Sequence, residues 1–154
     1  MHFVKAASDV YVGPVPSEHD LAALAREGVH TVIDLREPSE RRGPLDGPGL
    51  AAKLGLAYVN IPVHPATLSD REVEQLQAAM AEKRRGYVVH CAMGPRAEAL
   101  YIAKAALDHG WGPVEAGREA DRLGFQYGGS PRLRGFVTDF VTRHGPVDSR
   151  AAER

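Results

Sequence analysis

The chain has a single cysteine, few aromatic residues and almost no net charge. No disulfide can form within its 154 residues, of which only 6% are aromatic. Its 19 basic and 20 acidic side chains leave a formal charge of −1. That balance gives no electrostatic signal for nucleic acid or for an anionic membrane surface. We therefore expect neither nucleic acid nor a membrane among the partners.

Long apolar runs are absent as well. Residues 1–7 lack the apolar stretch of a signal peptide, and no segment approaches the length of a membrane span. A free cysteine fits a reducing compartment. These features predict a cytoplasmic protein. A hydrophobic content of 44% and a charged content of 25% are ordinary for a globular protein, and the length predicts one domain.

Short apolar runs alternate with helical patterns along most of the chain. This order predicts a single α/β domain, a three-layer sandwich in which helices flank a mostly parallel sheet. We expect the domain to cover residues 1–144 and residues 145–154 to form a flexible tail. The predicted strands are 10–12, 31–35, 57–63 and 87–89, and the predicted helices are 17–27, 50–54, 69–83, 97–107, 114–123 and 133–141.

Some local signals refine these elements. Ser17 with Asp20, and Ser69 with Glu72, predict capping boxes at two helix starts. Pro62 predicts that its strand frays or lies near a sheet edge.

The cysteine lies between a strand and a helix. Tyr87–Val89 is too short and too β-branched for a helix, whereas residues 97–107 look strongly helical. Cys91 is therefore placed at a helix N-terminus, where backbone N–H groups and the helix dipole favour an anion and a thiolate. Arg96, at the same point, offers a planar fork that fits a tetrahedral oxyanion.

The sequence allows two interpretations of Cys91. A lone cysteine after an apolar strand is often a small core side chain. Gly94 permits a turn closed to other residues, and Pro95 suits the first turn of a helix. Because Arg96 has no packing purpose there, we favour an anion site.

The polar loop 36–48 is a second candidate region. Loops after parallel strands tend to line the ligand crevice of an α/β protein. Arg36, Glu37 and Glu40 are therefore candidate rim residues, although a solvated charged loop explains each of them taken singly.

The pattern His-Cys-x-x-Gly-x-Arg after a buried strand resembles the phosphate loop of the cysteine-dependent protein tyrosine and dual-specificity phosphatases. It is more similar still to the bacterial beta-lactamase-hydrolase-like phosphatases, whose loop typically reads His-Cys-Ala-Ser-Gly-Asn-Arg. The resemblance extends from Val10 to about Phe125, including Tyr11–Ser17, Thr31–Arg36 and Tyr58–Val63. It implies a tyrosine-phosphatase-like fold.

The resemblance also implies roles for the loop residues. Cys91 would be the nucleophile that forms a thiophosphate, Arg96 would bind the equatorial oxygens, and His90 would orient the loop. No metal or other cofactor would be needed, because loop and arginine supply the charge stabilisation. The substrate-binding residues would be Ala92, Met93, Gly94, Pro95 and Arg96.

The chain departs from this pattern at several positions. Four residues separate Cys91 from Arg96, as in the bacterial group, where the tyrosine phosphatases have five. Met93 and Pro95 replace the serine and asparagine of that group, and Ala97 stands where many phosphatases have a serine or threonine.

No aspartate stands in a plainly matching general-acid position. His64 and Asp70 are the candidates, and His64 is retained as a catalytic residue. Asp70 is better explained as a first-turn helix acid.

Three functions remain open. The first is a phosphatase acting on phosphorylated proteins or small molecules, including phosphotyrosine or aryl phosphates. The second is a rhodanese-like sulfurtransferase, whose loop has the same length and carries sulfur as a persulfide. The third is a non-catalytic module that binds phosphate with a degenerate loop.

Overall fold

The computed structural model describes residues 2–146 and shows a five-stranded sheet between two layers of helices. The strand order is β1-β2-β5-β3-β4, with β1 antiparallel to β2 and the other neighbours parallel. The strands are β1 (Val4–Ala7), β2 (Val10–Gly13), β3 (Thr31–Asp34), β4 (Ala57–Asn60) and β5 (Tyr87–His90). The helices are α1 (Glu18–Arg26), α2 (Pro48–Lys53), α3 (Asp70–Glu82), α4 (Pro95–His109), α5 (Pro113–Leu123) and α6 (Pro131–His144).

Alternate residues of the central strands face the two helical layers. Val88 and Val32 pack in one cluster with Leu21 and Leu24 of α1, whereas Val89 and Ile33 pack in the larger cluster with α3 to α6. Because side chains alternate across a strand, each central strand contributes to both cores. The predicted three-layer α/β architecture with a mostly parallel sheet is confirmed.

The helix that follows Cys91, α4, lies at the centre of the larger core. Its five alanines are buried, as are Leu100, Tyr101 and Ile102, and it ends at Gly110, whose left-handed φ of 70° forms the cap. A helix enclosed in this way presents its N-terminus from a fixed position at the carboxyl edge of the sheet.

Some local predictions differ from the structure. β1 was not predicted, because a four-residue strand with one buried side chain carries little pattern. β4 ends at Asn60 instead of continuing to Val63, and it is an edge strand, as Pro62 indicated. The capping box at Ser17 forms, but at Ser69 the hydroxyl donates to the Glu72 carboxylate instead of accepting a backbone N–H.

The last helix, α6, ends at His144, and the domain boundary expected at that residue stays a prediction. The predicted tail lies outside the described residues, apart from Gly145 and Pro146. Within residues 2–146 no helix is both long and apolar enough to span a membrane.

Candidate active site

The carboxyl ends of three neighbouring strands bring the site together. His90, the last residue of β5, pairs with Gly13 of β2 on one side and with Asp34 of β3 on the other. Ligand sites of open α/β sheets lie at this edge. Cys91 follows directly, so the thiol emerges where three strands end.

The backbone of the loop encloses the thiol. The N–H of Gly94 donates to Cys91 Sγ over 3.1 Å, and Gly94 adopts a φ of 116°, which L side chains rarely adopt. The turn after β2 fixes the loop from the other side, because the Val15 N–H donates to the Ala92 carbonyl over 3.1 Å. Cys91 itself has no exposed surface.

Arg96 is held by a carboxylate far away in sequence. Its Nη1 and Nη2 groups donate to the two oxygens of Glu40 over 2.8 and 2.7 Å, and Nη1 also donates to the Val63 carbonyl over 2.9 Å. Within residues 2–146, no protein nitrogen or oxygen accepts a hydrogen bond from the Nε edge of the guanidinium. That edge can therefore bind two oxygens of an anion while Glu40 keeps the other edge in place.

Glu40 and Arg96 each stabilise the charged form of the other. Hydrogen bonds from Arg96 hold the pKa of Glu40 below its ordinary value. In return, the Glu40 hydrogen bonds, together with the charge of a Cys91 thiolate, raise the pKa of Arg96 against the effect of its partial burial. Arg96 thus remains cationic beside the thiol.

His90 contacts the loop backbone from below. Its Nδ1 lies 3.1 Å from the Cys91 carbonyl, and since a carbonyl can only accept, Nδ1 carries the proton. Nε2 is 3.8 Å from Asp34, too far for a hydrogen bond. Burial lowers the pKa of His90, so the ring stays neutral and holds the loop through one directed bond.

A buried ion-pair network supports this edge of the sheet. Arg36 donates to both oxygens of Asp34 and of Asp46 over 2.9 to 3.0 Å, and the Tyr58 hydroxyl donates to Asp34 over 2.6 Å. Burial acts to raise the pKa of Asp34, but the hydrogen bonds from Arg36 and Tyr58 hold it below its ordinary value. Since Asp46 closes the loop that carries Glu40, the network positions that loop against the sheet.

The predicted rim residues therefore have different functions. Glu40 reaches Arg96, as described above. Arg36 lines the same cleft as Glu40, but it is almost wholly buried and its guanidinium binds within the supporting network. The Glu37 side chain forms no ion pair within the described residues.

The two acid candidates lie in different settings. His64 is exposed, and its Nδ1 accepts the Ala66 N–H over 3.0 Å, so a neutral ring carries its proton on Nε2. Asp70 instead binds Arg143 through two hydrogen bonds of 2.7 and 2.8 Å and His144 through one of 2.7 Å. These partners hold the pKa of Asp70 well below its ordinary value, which does not suit a proton donor.

The remaining loop residues form one wall of an open cleft. The cleft has a volume of about 480 Å³, and Ala92, Met93 and Val15 line it opposite Ser39 and Arg42 of the Glu40 loop. Met93 is 82% exposed and Val15 is 41% exposed. Pro95 begins α4 and supplies no N–H.

No three metal-ligating side chains (His, Cys, Asp or Glu) come together anywhere in residues 2–146. The charge stabilisation available at this site comes from Arg96, the loop N–H groups and the N-terminus of α4.

Sequence reasoning missed Asp34, Asp46 and the Val63 carbonyl. Asp34 carried a usable signal, because an acidic residue that ends an apolar strand needs a cationic partner if it is buried. The other two carried none, since their contacts depend on which loops the sheet brings together.

Comparison with known proteins identifies the family. The model of the family described as "Beta-lactamase hydrolase-like protein, phosphatase-like domain" matches residues 2–111. The chain belongs to this family. A relative in Xylella fastidiosa (strain Temecula1 / ATCC 700964), a beta-lactamase hydrolase-like protein, is 27% identical over 150 residues, covering 86% of this chain and 33% of that protein. The chain thus spans about a third of the length of this curated relative.

Solved structures share the fold of this phosphatase-like domain. Tk-PTP in the active form has a TM-score of 0.75 at 19% identity, covering 92% of this chain and 97% of that chain. P. aeruginosa TpbA, solved in complex with pTyr, has a TM-score of 0.67 at 20% identity, covering 89% and 85%. The fold is therefore tyrosine-phosphatase-like, and family and fold together support a phosphatase.

Proposed function

We propose that the protein is a cysteine-dependent phosphatase that hydrolyses phosphomonoesters through a thiophosphate on Cys91. One observation carries this proposal. The Cys91 sulfur accepts a backbone N–H at the N-terminus of α4, beside an arginine whose Nε edge has no protein nitrogen or oxygen acceptor within the described residues. A thiolate and an anion site in contact are what phosphoryl transfer to sulfur requires.

The reaction has two displacement steps. The Cys91 thiolate attacks phosphorus, an S–P bond forms, and the ester P–O bond breaks as the leaving alkoxide or phenoxide departs. Water then attacks the thiophosphate, the S–P bond breaks, and inorganic phosphate and the thiolate are released. In both steps Arg96 and the loop N–H groups would stabilise charge on the phosphoryl oxygens.

Aryl phosphates, phosphotyrosine among them, are the proposed substrates. The apolar wall formed by Met93 and Val15 suits an aryl group, and P. aeruginosa TpbA, which shares the fold, was solved with pTyr. With Asp70 held by Arg143, a leaving group with a low pKa is favoured, because it departs without a strong proton donor.

His64 is the proposed proton donor for less reactive esters. As an imidazolium, His64 would give its Nε2 proton to the leaving oxygen and become a neutral ring whose Nδ1 accepts the Ala66 N–H; the side chain is exposed. We expect His64→Asn to retain turnover of an aryl phosphate with a good leaving group and to lose turnover of an alkyl phosphate. Equal effects on the two ester classes would remove His64 from the mechanism.

The decisive experiment compares wild type with Cys91→Ser on an aryl phosphate. A serine hydroxyl is a far weaker nucleophile at neutral pH, so turnover should fall by at least about 10³-fold while the circular dichroism spectrum is unchanged. Because Cys91 is the only cysteine, no second thiol can substitute. Unchanged turnover in the serine variant would end the covalent mechanism.

A sulfurtransferase is the second candidate, and a specific observation favours it. Glu40 already occupies the two Nη groups of Arg96, and the six-residue loop encloses a fully buried sulfur. Such a loop fits a persulfide, formed when Cys91 attacks the outer sulfur of thiosulfate and sulfite leaves. Transfer of that sulfur to cyanide would yield thiocyanate. Thiocyanate production without aryl phosphate hydrolysis would favour the sulfurtransferase. If the protein has neither activity, the remaining interpretation is the non-catalytic module that binds phosphate.

A further inference from the structure

A turn beyond the matched family region packs directly on the phosphate loop. Tyr127 to Gly129 form a single turn of 3₁₀ helix, in which Tyr127 has a φ of 56°. It is the one non-glycine residue with a positive φ within residues 2–146. Such a conformation costs about 1–3 kcal/mol and persists only where surrounding contacts hold it.

Glu98 is the side chain that holds this turn. It lies in the first turn of α4, two residues after Arg96, and its Oε1 accepts the Tyr127 N–H over 2.9 Å. Its second oxygen, Oε2, lies 3.8 Å from the position that a Cβ on Gly94 would take. The carboxylate therefore sits between the turn and the residue whose N–H contacts the thiol.

Gly128 of this turn packs against the Pro95 ring. A Cβ built on Gly128 would lie 2.7 Å from Cγ and 3.2 Å from Cβ of the Pro95 ring, so only glycine leaves the ring in place. Pro95 is bonded to Gly94, and any displacement of the ring turns the Gly94 backbone. The contacts thus run from Glu98 through the turn to Pro95 and the Gly94 N–H.

We propose that Glu98 is a positioning residue that, through the Tyr127–Gly129 turn and Pro95, keeps the Gly94 N–H directed at the Cys91 sulfur. This inference rests on the proposed function for its relevance to turnover, but the contact with sulfur can be measured in the protein alone. Gly94 N–H donates to an anion when the thiol ionises, and such a charge-assisted bond favours the thiolate.

The sign of the effect separates positioning from simple electrostatics. A carboxylate near a thiolate disfavours it, so removing the charge of Glu98 alone should lower the pH midpoint of thiol ionisation. If Glu98 acts by positioning, Glu98→Ala should instead raise the midpoint, by about one pH unit, because the N–H to sulfur contact is lost. Glu98→Gln keeps an acceptor for Tyr127 N–H, so its midpoint should lie at or below that of wild type.

The experiment is a pH titration of the ultraviolet absorbance of the thiolate, taken as the difference from Cys91→Ser, because the five tyrosines also absorb in this region when they ionise. Gly128→Ala and Gly129→Ala form a matched pair, since both glycines have a positive φ but a Cβ on Gly129 meets nothing within 4 Å. We expect Gly128→Ala to raise the midpoint as Glu98→Ala does, and Gly129→Ala to leave it unchanged. This pair decides the matter even if Glu98→Ala fails to fold.

Turnover provides the second measurement. We expect kcat for an aryl phosphate to fall about tenfold in Glu98→Ala and in Gly128→Ala, and to stay within about threefold in the two matched controls. Equal midpoint shifts in Gly128→Ala and Gly129→Ala, or a lowered midpoint in Glu98→Ala, would overturn the inference. A protein without phosphatase activity in which the midpoints shift as expected would refute the proposed function alone.

Discussion

Arg36 and Arg96 reach the same edge of the sheet, yet their surroundings differ. Arg36 is buried and binds the carboxylates of Asp34 and Asp46 through both Nη groups and Nε. Within residues 2–146, the oxygens that accept from Arg96 bind its Nη groups alone; they belong to Glu40 and the Val63 carbonyl. An arginine whose guanidinium is enclosed by two carboxylates stabilises the fold, whereas one that keeps an edge open can bind a ligand.

The first and largest test of this contrast is Arg36→Met. Removing the guanidinium leaves the fully buried Asp34 without its cation, which should lower the free energy of unfolding by about 3–5 kcal/mol. Chemical denaturation measures the loss. Arg42→Met is the control, because Arg42 is exposed in the same loop and its replacement should change stability by no more than about 0.5 kcal/mol. Equal losses in the two variants would show that the network does not stabilise the fold.

Arg96→Lys should show the opposite result, a large loss of turnover with little change in stability. Lysine keeps the charge beside Glu40 but cannot offer two N–H groups to a phosphoryl group, so turnover of an aryl phosphate should fall by about 10²–10³-fold. Stability should change little, because the ion pair with Glu40 persists. The steady-state rate and a thermal melt are measured on the same sample. A rate within about threefold of wild type would assign Arg96 a structural role like that of Arg36.

Glu40→Gln tests whether the ion pair with Glu40 holds Arg96 so that its Nε edge faces a ligand. A glutamine offers one carbonyl oxygen instead of two charged ones, so the guanidinium is held less firmly and kcat/KM should fall by about tenfold. Glu37→Gln is the matched control in the same loop. If the two variants have the same kcat/KM, the Glu40 contact does not position Arg96.

The supporting network also predicts a pH dependence of stability. Burial lowers the pKa of His90 in the folded state, so below its unfolded value of about 6.5 the unfolded chain binds a proton that the folded chain does not. Stability should therefore fall as pH decreases from about 6.5, with a slope of at most about 1.4 kcal/mol per pH unit. His90→Asn should flatten this slope between pH 7 and 5, and an unchanged slope would assign it to other groups.

The smallest effect is expected at the third arginine–carboxylate cluster, where Arg143 binds Asp70 near the surface. Asp70→Asn should leave aryl phosphate turnover within about twofold, because a carboxylate held ionised by Arg143 does not donate a proton. A large loss of turnover, together with a missing limb in the pH–rate profile, would restore Asp70 as the acid.

The local part of the site could be predicted from the sequence. The strand, the thiol and the helix that follows occupy consecutive residues, and Gly94, Pro95 and Arg96 each have a backbone or side-chain preference that acts within one turn. The order of elements and the helix ends at Gly110 and Gly124 follow from the same short-range rules. Cys91 and Arg96 therefore lie where the pattern indicated.

Contacts between distant residues required the tertiary structure. Glu40 and Arg96 are 56 positions apart, and nothing in the pattern of loop 36–48 distinguished Glu40 from Glu37. Asp34 lies beside His90 only because β3 and β5 are neighbours in register, and Glu98 contacts Tyr127 only because α6 and its preceding turn fold back onto α4. Sequence periodicity specifies which face of an element is apolar, but it carries no information on which partner covers that face. The packing of the whole domain determines which elements become neighbours, and the neighbours determine which carboxylate each arginine binds.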